Sequence, residues 1–228
     1  MLIIIFLVSL VLSLSLVPLI RWLSQRMEIV AEPRVDRWHK KITPKIGGVG
    51  IFLAWGITLL IGYFFQPPTS PNYALIAGSI IVFVLGLIDD FKRISPPAKL
   101  IGQIIAAAVV VFFGRNIDFF SLEILNILVT FIWIVGITNA INLLDNMDGL
   151  AGGVALISAI LLGILFFRSG NQDLLIVTLA LIGSILGFLV FNFPPASIFM
   201  GDSGSLFLGF TLSTLAIARI PQASNLLA

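Results

Sequence analysis

The 228-residue sequence contains no cysteine and a single histidine, His39. The absence of cysteine excludes disulfide bonds, thiolate metal sites and cysteine nucleophiles, and one histidine excludes a metal site built from several imidazoles of this chain. Charged residues are also scarce, at 11% of the sequence, whereas hydrophobic residues make up 59%. This composition lies outside the range of soluble domains. We therefore interpret the chain as a polytopic membrane protein, with lipid around it and no nucleic acid as a partner.

Eight apolar runs account for most of the chain, and each predicts a transmembrane helix. They cover residues 2–20, 46–65, 73–88, 97–113, 122–141, 150–167, 174–191 and 206–220. The sequence shows no internal repeat, low-complexity tract or soluble linker between these runs. We therefore expect an all-α fold, a polytopic membrane helical bundle of about eight transmembrane helices, with residues 1–228 forming one integral membrane domain.

Basic residues are distributed unevenly among the predicted loops. Seven of the thirteen Lys and Arg residues lie between Arg21 and Lys45, directly after the first apolar run. If that segment is cytoplasmic, the loops around residues 89–99, 142–149 and 192–205 share its side, which then holds ten basic residues against three opposite. The positive-inside rule therefore predicts a multi-pass protein of the inner or plasma membrane, with these loops in the cytoplasm and both ends outside.

The acidic residues cluster in the loops predicted to be cytoplasmic. Five aspartates lie there: Asp89, Asp90, Asp145, Asp148 and Asp202. Carboxylates brought close together repel one another unless a cation compensates their charge. The neighbouring Asn142 would add an amide oxygen, and an all-oxygen ligand set favours Mg²⁺ or Mn²⁺ over zinc. Because Mg²⁺ often keeps positions open for substrate phosphates, the pattern predicts phosphate chemistry at the membrane surface.

The polar segment 139–149 allows two interpretations. If the fifth helix continues through it, Asn142, Asp145 and Asp148 project from nearly one face, because they are spaced three residues apart. That face would bind a cation. Alternatively, Asp148 and the glycine that follows it cap the sixth helix, with no further role.

The lysines near the aspartates also allow two interpretations. Lys99 follows the Asp89–Asp90 pair closely enough to return positive charge to the same place, where it would bind a phosphate. The same position would equally suit a lysine that extends its ammonium to the membrane surface and binds no substrate. Lys40 likewise has two candidate partners, which are anionic lipid headgroups and the phosphate of a nucleotide or a lipid substrate.

Four motifs, each in a predicted cytoplasmic loop, together resemble the polyprenyl-phosphate N-acetylhexosamine-1-phosphate transferases of glycosyltransferase family 4. They are HKKITPKIGG at 39–48, IDDF at 88–91 with Lys99 following, NAINLLDNMDG at 139–149, and FMGDSGS at 199–205 with Asn192 preceding it. The resemblance implies a transferase in which polyprenyl phosphate attacks the sugar-bearing phosphate of a UDP-N-acetylhexosamine. The products would be UMP and a polyprenyl-diphosphate-sugar, which initiates synthesis of cell wall or surface polysaccharide.

The resemblance also implies roles for individual residues. It implies Mg²⁺, with Mn²⁺ as the alternative, on Asn142 and Asp202. It implies that the catalytic acids are Asp89, Asp90, Asp145 and Asp148, the first two acting on the polyprenyl phosphate and the last two at the donor site. It implies that substrate is bound by Lys40, Lys99, Asn192 and Phe199, the last two holding uridine. Direct attack by the acceptor and a covalent aspartyl intermediate both remain open.

The family pattern further includes a histidine-rich last loop and a final helix, which do not appear before Ala228. We interpret the sequence as C-terminally incomplete, with a naturally short homologue of doubtful activity as the alternative. The sequence DNMD at 145–148 is more similar to the N-acetylglucosamine branch of the family. It therefore favours UDP-N-acetylglucosamine over UDP-N-acetylmuramoyl-pentapeptide as the donor. A divalent-cation transporter and an inactive remnant are the competing classes, and a homodimer is the assembly considered.

Overall fold

The computed structural model describes residues 1–31, 43–69 and 72–218, which form eight helices and one short strand pair. The helices are α1 (Leu2–Arg26), α2 (Gly47–Phe65), α3 (Tyr73–Lys92), α4 (Pro96–Phe112), α5 (Glu123–Leu144), α6 (Leu150–Arg168), α7 (Gln172–Asn192) and α8 (Gly201–Ala216). Strands β1 (Val30–Ala31) and β2 (Thr43–Pro44) pair in antiparallel register, Val30 opposite Pro44. The predicted all-α helical bundle is confirmed, and the strand pair is a local addition that the sequence pattern did not indicate.

Helix length distinguishes six of the described helices from the other two. Helices α1, α2, α3, α5, α6 and α7 are long and apolar enough to cross a membrane. Helix α4 has 17 residues and α8 has 16. At about 1.5 Å per residue, both extend a few ångströms less than a hydrocarbon core of about 30 Å. The chain is therefore a multi-pass membrane protein, although crossing by α4 and α8 does not follow from their length.

Helices α7 and α8 form the interior of the bundle. Helices α1, α2 and α6 pack against α7, whereas α3 and α5 pack against α8, and α4 contacts α3 and α5. Nearly every side chain of α8 is buried, including its serines and threonines. A polar helix of this kind is stable in a membrane because neighbouring helices, rather than lipid, surround it.

Small residues allow α1 and α7 to approach closely. A Cβ atom on Gly183 would lie 2.6 Å from the carbonyl oxygen of Phe6, so only glycine fits there. Beside this contact, the hydroxyl of Ser9 donates to the carbonyl of Ala180 at 2.5 Å. Such small-residue contacts and interhelical hydrogen bonds drive association where lipid removes the hydrophobic driving force.

Three helices extend past the apolar runs at the end of the bundle where the polar motifs lie. Helix α3 continues through Asp89 and Asp90, α5 includes Asn142, and α8 begins at Gly201 instead of residue 206. Hydropathy marks where apolar side chains stop, but the backbone hydrogen bonds of a helix continue into polar residues. The polar side chains predicted to lie in loops therefore lie on helix ends, which hold them in fixed orientations.

Candidate functional site

Five polar side chains from four helix ends meet at one end of the bundle. Asp89 and Asp90 come from the last turn of α3, Lys99 from the first turn of α4, Asn142 from the last turn of α5, and Asp202 from the first turn of α8. Direct contacts link them into one network. The structure thus brings together residues that the sequence placed in three different predicted loops.

Lys99 lies between two of the carboxylates. Its Nζ atom pairs with Asp89 Oδ2 and lies 3.0 Å from Asp202 Oδ2. The other oxygen of Asp89 accepts the backbone N–H of Ile94, at the turn between α3 and α4. This geometry is that of a counter-ion shared by two acids, which separates Lys99 from a lysine that merely extends to the membrane surface.

Asp202 is held from its other side by Asn142. The Nδ2 atom of Asn142 donates to Asp202 Oδ1 at 2.5 Å and to the hydroxyl oxygen of Ser205 at 2.8 Å. The hydroxyl of Ser205 in turn donates to the carbonyl of Gly201 at 3.1 Å. Both oxygens of Asp202 are therefore fixed by α4 and α5, while 30% of the side chain stays exposed.

Asp90 anchors the beginning of α8. Its Oδ1 and Oδ2 atoms accept the backbone N–H groups of Asp202 and Ser203, each at 3.0 Å. The carboxylate is 6% exposed, so it satisfies two helix N-terminal donors and meets the positive end of the helix dipole. Gly201 permits this approach: its φ is +77°, and a Cβ there would lie 2.8 Å from both Asp90 oxygens. This anchoring role was not foreseen from the sequence, and contact of Asp90 with polyprenyl phosphate stays a prediction.

The turn after α5 separates the remaining acids of the motif. Helix α5 ends at Leu144 and Asp145 is its C-cap, so Asp148 lies beyond the helix and does not share a face with Asn142. The capping interpretation is correct for the glycine, because Gly149, at φ +72°, is the N-cap of α6, but it is wrong for Asp148, because no side chain caps that end. Instead, Asp148 Oδ2 accepts the backbone N–H of Ala196 at 2.9 Å. Asp148 thus ties the α5–α6 turn to the loop between α7 and α8.

Asn192 reinforces the same connection. Its Oδ1 atom accepts the backbone N–H of Gly149 at 3.1 Å, and its Nδ2 atom donates to the carbonyl of Ile198 at 2.9 Å. Asn192 is 3% exposed. Phe199 is half-buried, and its backbone pairs with Pro44 and Gly47. Contact of these two side chains with uridine stays a prediction, and Lys40 lies outside the described residues.

A cleft of about 210 Å³ opens beside the network, between the first turns of α4 and the last turns of α5. Its walls combine polar and apolar side chains: Ile94, Pro96, Lys99, Leu100, Asn139 and Asn142. Two members of the network, Lys99 and Asn142, therefore face a space in which a ligand can lie.

Asn142 and Asp202 are chemically suited to hold one divalent cation whose other positions are filled by water or phosphate oxygens. Among the residues that the structure describes, no three acidic or histidine side chains could hold a metal ion by themselves. Mg²⁺ commonly takes one or two protein ligands and fills its other positions with water and phosphate oxygens. Asn142 and Asp202 are in contact beside the cleft, and a half-turn of the amide exchanges its nitrogen and oxygen with little movement. The predicted pair is thus suitable for Mg²⁺, and the metal site stays a prediction.

Comparison with known proteins identifies the family of the chain. The family model described as glycosyl transferase family 4 matches residues 72–220, which contain all five network residues. The chain belongs to glycosyl transferase family 4. Its predicted family resemblance is therefore confirmed.

Individual members of the family align over most of the chain. A Bacillus subtilis protein named probable undecaprenyl-phosphate N-acetylglucosaminyl 1-phosphate transferase is 36% identical over 97% of this chain. A phospho-N-acetylmuramoyl-pentapeptide-transferase of Anoxybacillus flavithermus is 34% identical over 93% of this chain, and one of B. subtilis is 36% identical over 93%. The chain spans 64% of the length of the first relative and 72% of the length of the other two.

Sequence reasoning missed Gln103 near the site, and it gave Asn139 no role beyond its place in the 139–149 motif. Gln103 and Asn139 exchange hydrogen bonds between α4 and α5, one turn deeper than Lys99 and Asn142. A glutamine inside an apolar run is itself a signal, because polar side chains within a membrane span are costly and usually paired or functional. Its spacing of four residues from Lys99 places both on one face of α4.

Proposed function

We propose that the protein transfers N-acetylhexosamine-1-phosphate from a UDP-sugar to a polyprenyl phosphate such as undecaprenyl phosphate, releasing UMP. Membership of glycosyl transferase family 4 and the activities named for the relatives support this reaction class. The single observation on this chain that carries the proposal is the clamping of Asp202 between Asn142 and Lys99, two residues that line a cleft. This combination offers oxygen ligands and a positive charge to one diphosphate.

The reaction requires a new bond between an oxygen of the polyprenyl phosphate and the sugar-bearing phosphorus. The bond from that phosphorus to the bridging oxygen breaks, and its electron pair leaves with UMP. A phosphate monoester is already largely ionised near neutral pH, because its second pKa is about 6, so no strong base is needed. The residues of the chain therefore contribute chiefly by positioning the two phosphates and compensating their charge.

Lys99 is suited to the negative charge of the phosphates. It already lies between Asp89 and Asp202, and a ligand in the cleft can draw its ammonium away from either carboxylate. Asp89 pairs with the same ammonium, so we assign it the role of positioning Lys99 for the acceptor phosphate. When bound to Asn142 and Asp202, Mg²⁺ would neutralise charge on the diphosphate.

We place this site on the cytoplasmic side of the membrane, where a sugar nucleotide is available. The support is the count of basic residues, ten on the side of the network and three opposite. The lipid acceptor would reach the same place from within the bilayer. The product would supply a pathway that builds cell wall or surface polysaccharide.

The proposal is tested with protein expressed from its natural coding sequence, purified in detergent with polyprenyl phosphate, UDP-N-acetylglucosamine and Mg²⁺. The expected result is UMP release that requires both substrates and the metal. UMP release without the lipid would indicate a hydrolase, and Mg²⁺ flux into vesicles without UMP release would indicate a transporter. Either result, or no turnover with any UDP-N-acetylhexosamine, would overturn the proposal.

The second candidate donor is UDP-N-acetylmuramoyl-pentapeptide, which the names of the Anoxybacillus and second Bacillus relatives suggest. The DNMD wording at 145–148 favours UDP-N-acetylglucosamine instead. Competition between the two donors in one assay decides the matter. If kcat/KM for the pentapeptide donor exceeded kcat/KM for UDP-N-acetylglucosamine, the assignment would be reversed.

A further inference from the structure

The hydrogen bonds between Gln103 and Asn139 have a defined direction. Asn139 Nδ2 donates to the carbonyl of Val135 at 2.8 Å, on its own helix, and to Gln103 Oε1 at 2.6 Å. Gln103 Nε2 donates back to Asn139 Oδ1 at 3.2 Å. Because a carbonyl can only accept, the contact with Val135 fixes which end of the Asn139 amide is the nitrogen. The orientation of Gln103 then follows from that of Asn139.

The two amides differ in their surroundings. Gln103 is 1% exposed, whereas Asn139 is half-buried and lines the cleft. Gln103 therefore stands behind Asn139 and has no access to a ligand of its own. Both N–H groups of Asn139 are used within the protein, one by Val135 of α5 and one by Gln103 of α4, so both helices fix the orientation that Asn139 presents to the cleft.

The pair also joins the two helices that carry Lys99 and Asn142. Gln103 lies four residues after Lys99 on α4, and Asn139 lies three residues before Asn142 on α5. Gln103 therefore shares a face with Lys99, and Asn139 shares a face with Asn142, each one helical turn further into the bundle. Lys99 and Asn142 approach the same carboxylate, Asp202, from these two helices. Their separation, and with it the width of the cleft, depends on the distance between α4 and α5 at the next turn.

We propose that Gln103 is a positioning residue for the transferase site: its reciprocal amide pair with Asn139 sets the α4–α5 spacing that lets Lys99 and Asn142 meet Asp202. The inference concerns a residue that never touches substrate. It rests on the proposed function for its kinetic test, and on the structure alone for its distance test.

The distance test makes use of the absence of cysteine from residues 1–228. Spin labels on cysteines introduced at Ile101 of α4 and Leu143 of α5, which are 59% and 70% exposed, report the α4–α5 separation by dipolar electron paramagnetic resonance. We expect Gln103→Met, which keeps the length of the side chain but removes the amide, to broaden or shift this distance. An unchanged distance would overturn the proposal whether or not the protein is a transferase.

The matched control is another buried interhelical pair. The hydroxyls of Ser79 on α3 and Thr211 on α8 lie 3.0 Å apart, and Ser79 is ten residues, or about 15 Å, from Asp89 along the helix. Ser79→Ala removes a buried hydrogen bond away from the cleft. We expect it to lower thermal stability comparably to Gln103→Met while leaving the label distance and turnover at the wild-type values.

The kinetic test uses the natural full-length protein with UDP-sugar and polyprenyl phosphate. We expect Gln103→Met to lower kcat about 10-fold or more with a smaller change in donor KM, since misplaced groups cost turnover more than ground-state binding. If the pair acts as a unit, Gln103→Met combined with Asn139→Leu is no worse than the worse single variant. Multiplicative losses, or a kcat loss equal to that of Ser79→Ala, would overturn the proposal.

Two further measurements apply if Gln103→Met does not fold or if the wild-type protein has no transferase activity. If Gln103→Met does not fold in detergent, Gln103→Asn keeps the amide but withdraws it by one methylene, and the same distance shift is expected. If the wild-type protein has no transferase activity, the proposed function fails, and the distance measurement alone decides the role of Gln103.

Discussion

Replacing Lys99 with methionine tests how the site balances its charge. The ammonium lies 3.0 Å from Asp202 Oδ2, so a cation that binds Asp202 must displace it or share the carboxylate with it. Because 30% of the Asp202 side chain is exposed, a water-like dielectric gives a lower limit to the attraction. That limit is about 1.4 kcal/mol for unit charges 3 Å apart, or a factor of about 10 in a binding constant. Methionine keeps most of the side-chain length without the charge, so Lys99→Met is expected to bind Mn²⁺ about 10-fold tighter, or more, without substrate.

Titration of Mn²⁺ followed by electron paramagnetic resonance measures this affinity directly. Lys92→Met is the matched control, because it removes an exposed positive charge from the same end of the bundle. Lys99→Arg, which keeps the charge, should bind Mn²⁺ as weakly as the wild type. Equal affinities for Lys99→Met and Lys92→Met would refute the reasoning, as would weaker binding by Lys99→Met. Turnover by Lys99→Met should nevertheless fall, because the cation expected to meet phosphate is gone.

Three other variants test the remaining contacts. Asp202→Ala should abolish Mg²⁺-dependent UMP release. The thermal midpoint should stay near that of the wild type, because Asp90 accepts from the backbone N–H of residue 202 and does not contact its side chain. Retained activity over a magnesium titration would exclude the metal role. Asp90→Ala should lower the free energy of unfolding by about 1–3 kcal/mol, because two helix N–H groups lose their acceptor. Denaturation in detergent measures this change, and no loss would show that Asp90 does not anchor α8. Gly201→Ala should cost at least about 1–2 kcal/mol for the positive φ alone, by the same denaturation measurement. Its added Cβ would also lie 2.2 Å from the carbonyl oxygen of Lys45, so a neutral effect would contradict the described turn.

The order and number of the helices could be predicted because the membrane imposes them. Lipid cannot hydrogen-bond to a backbone, so each apolar run had to be a helix, and the eight runs correspond to α1 to α8. Helix ends were less predictable, because a helix continues through polar residues once it leaves lipid. This is why Asp202 was expected in a loop and lies in the first turn of α8.

The site was predictable in its membership but not in its contacts. The clustering of aspartates on one predicted side singled out Asp89, Asp90 and Asp202, and their contacts now link them. Spacing along the chain could not show that the carboxylate of Asp90 faces the backbone of α8, or that Asp148 faces the loop after α7. Those contacts depend on how helices pack against one another, and sequence distance carries no information about packing.

The amino-acid sequence by itself determined that the chain is a helical membrane protein with a polar end, because burying backbone and charge in lipid costs too much for any other arrangement. The tertiary structure alone decided which polar groups touch. Helix α8, buried among its neighbours, brings Asp202 to the place where α4 and α5 deliver Lys99 and Asn142, and the Gln103–Asn139 pair joins those two helices one turn deeper. The physical reason is that hydropathy acts on each segment separately, whereas a hydrogen bond or an ion pair requires two segments at one fixed distance.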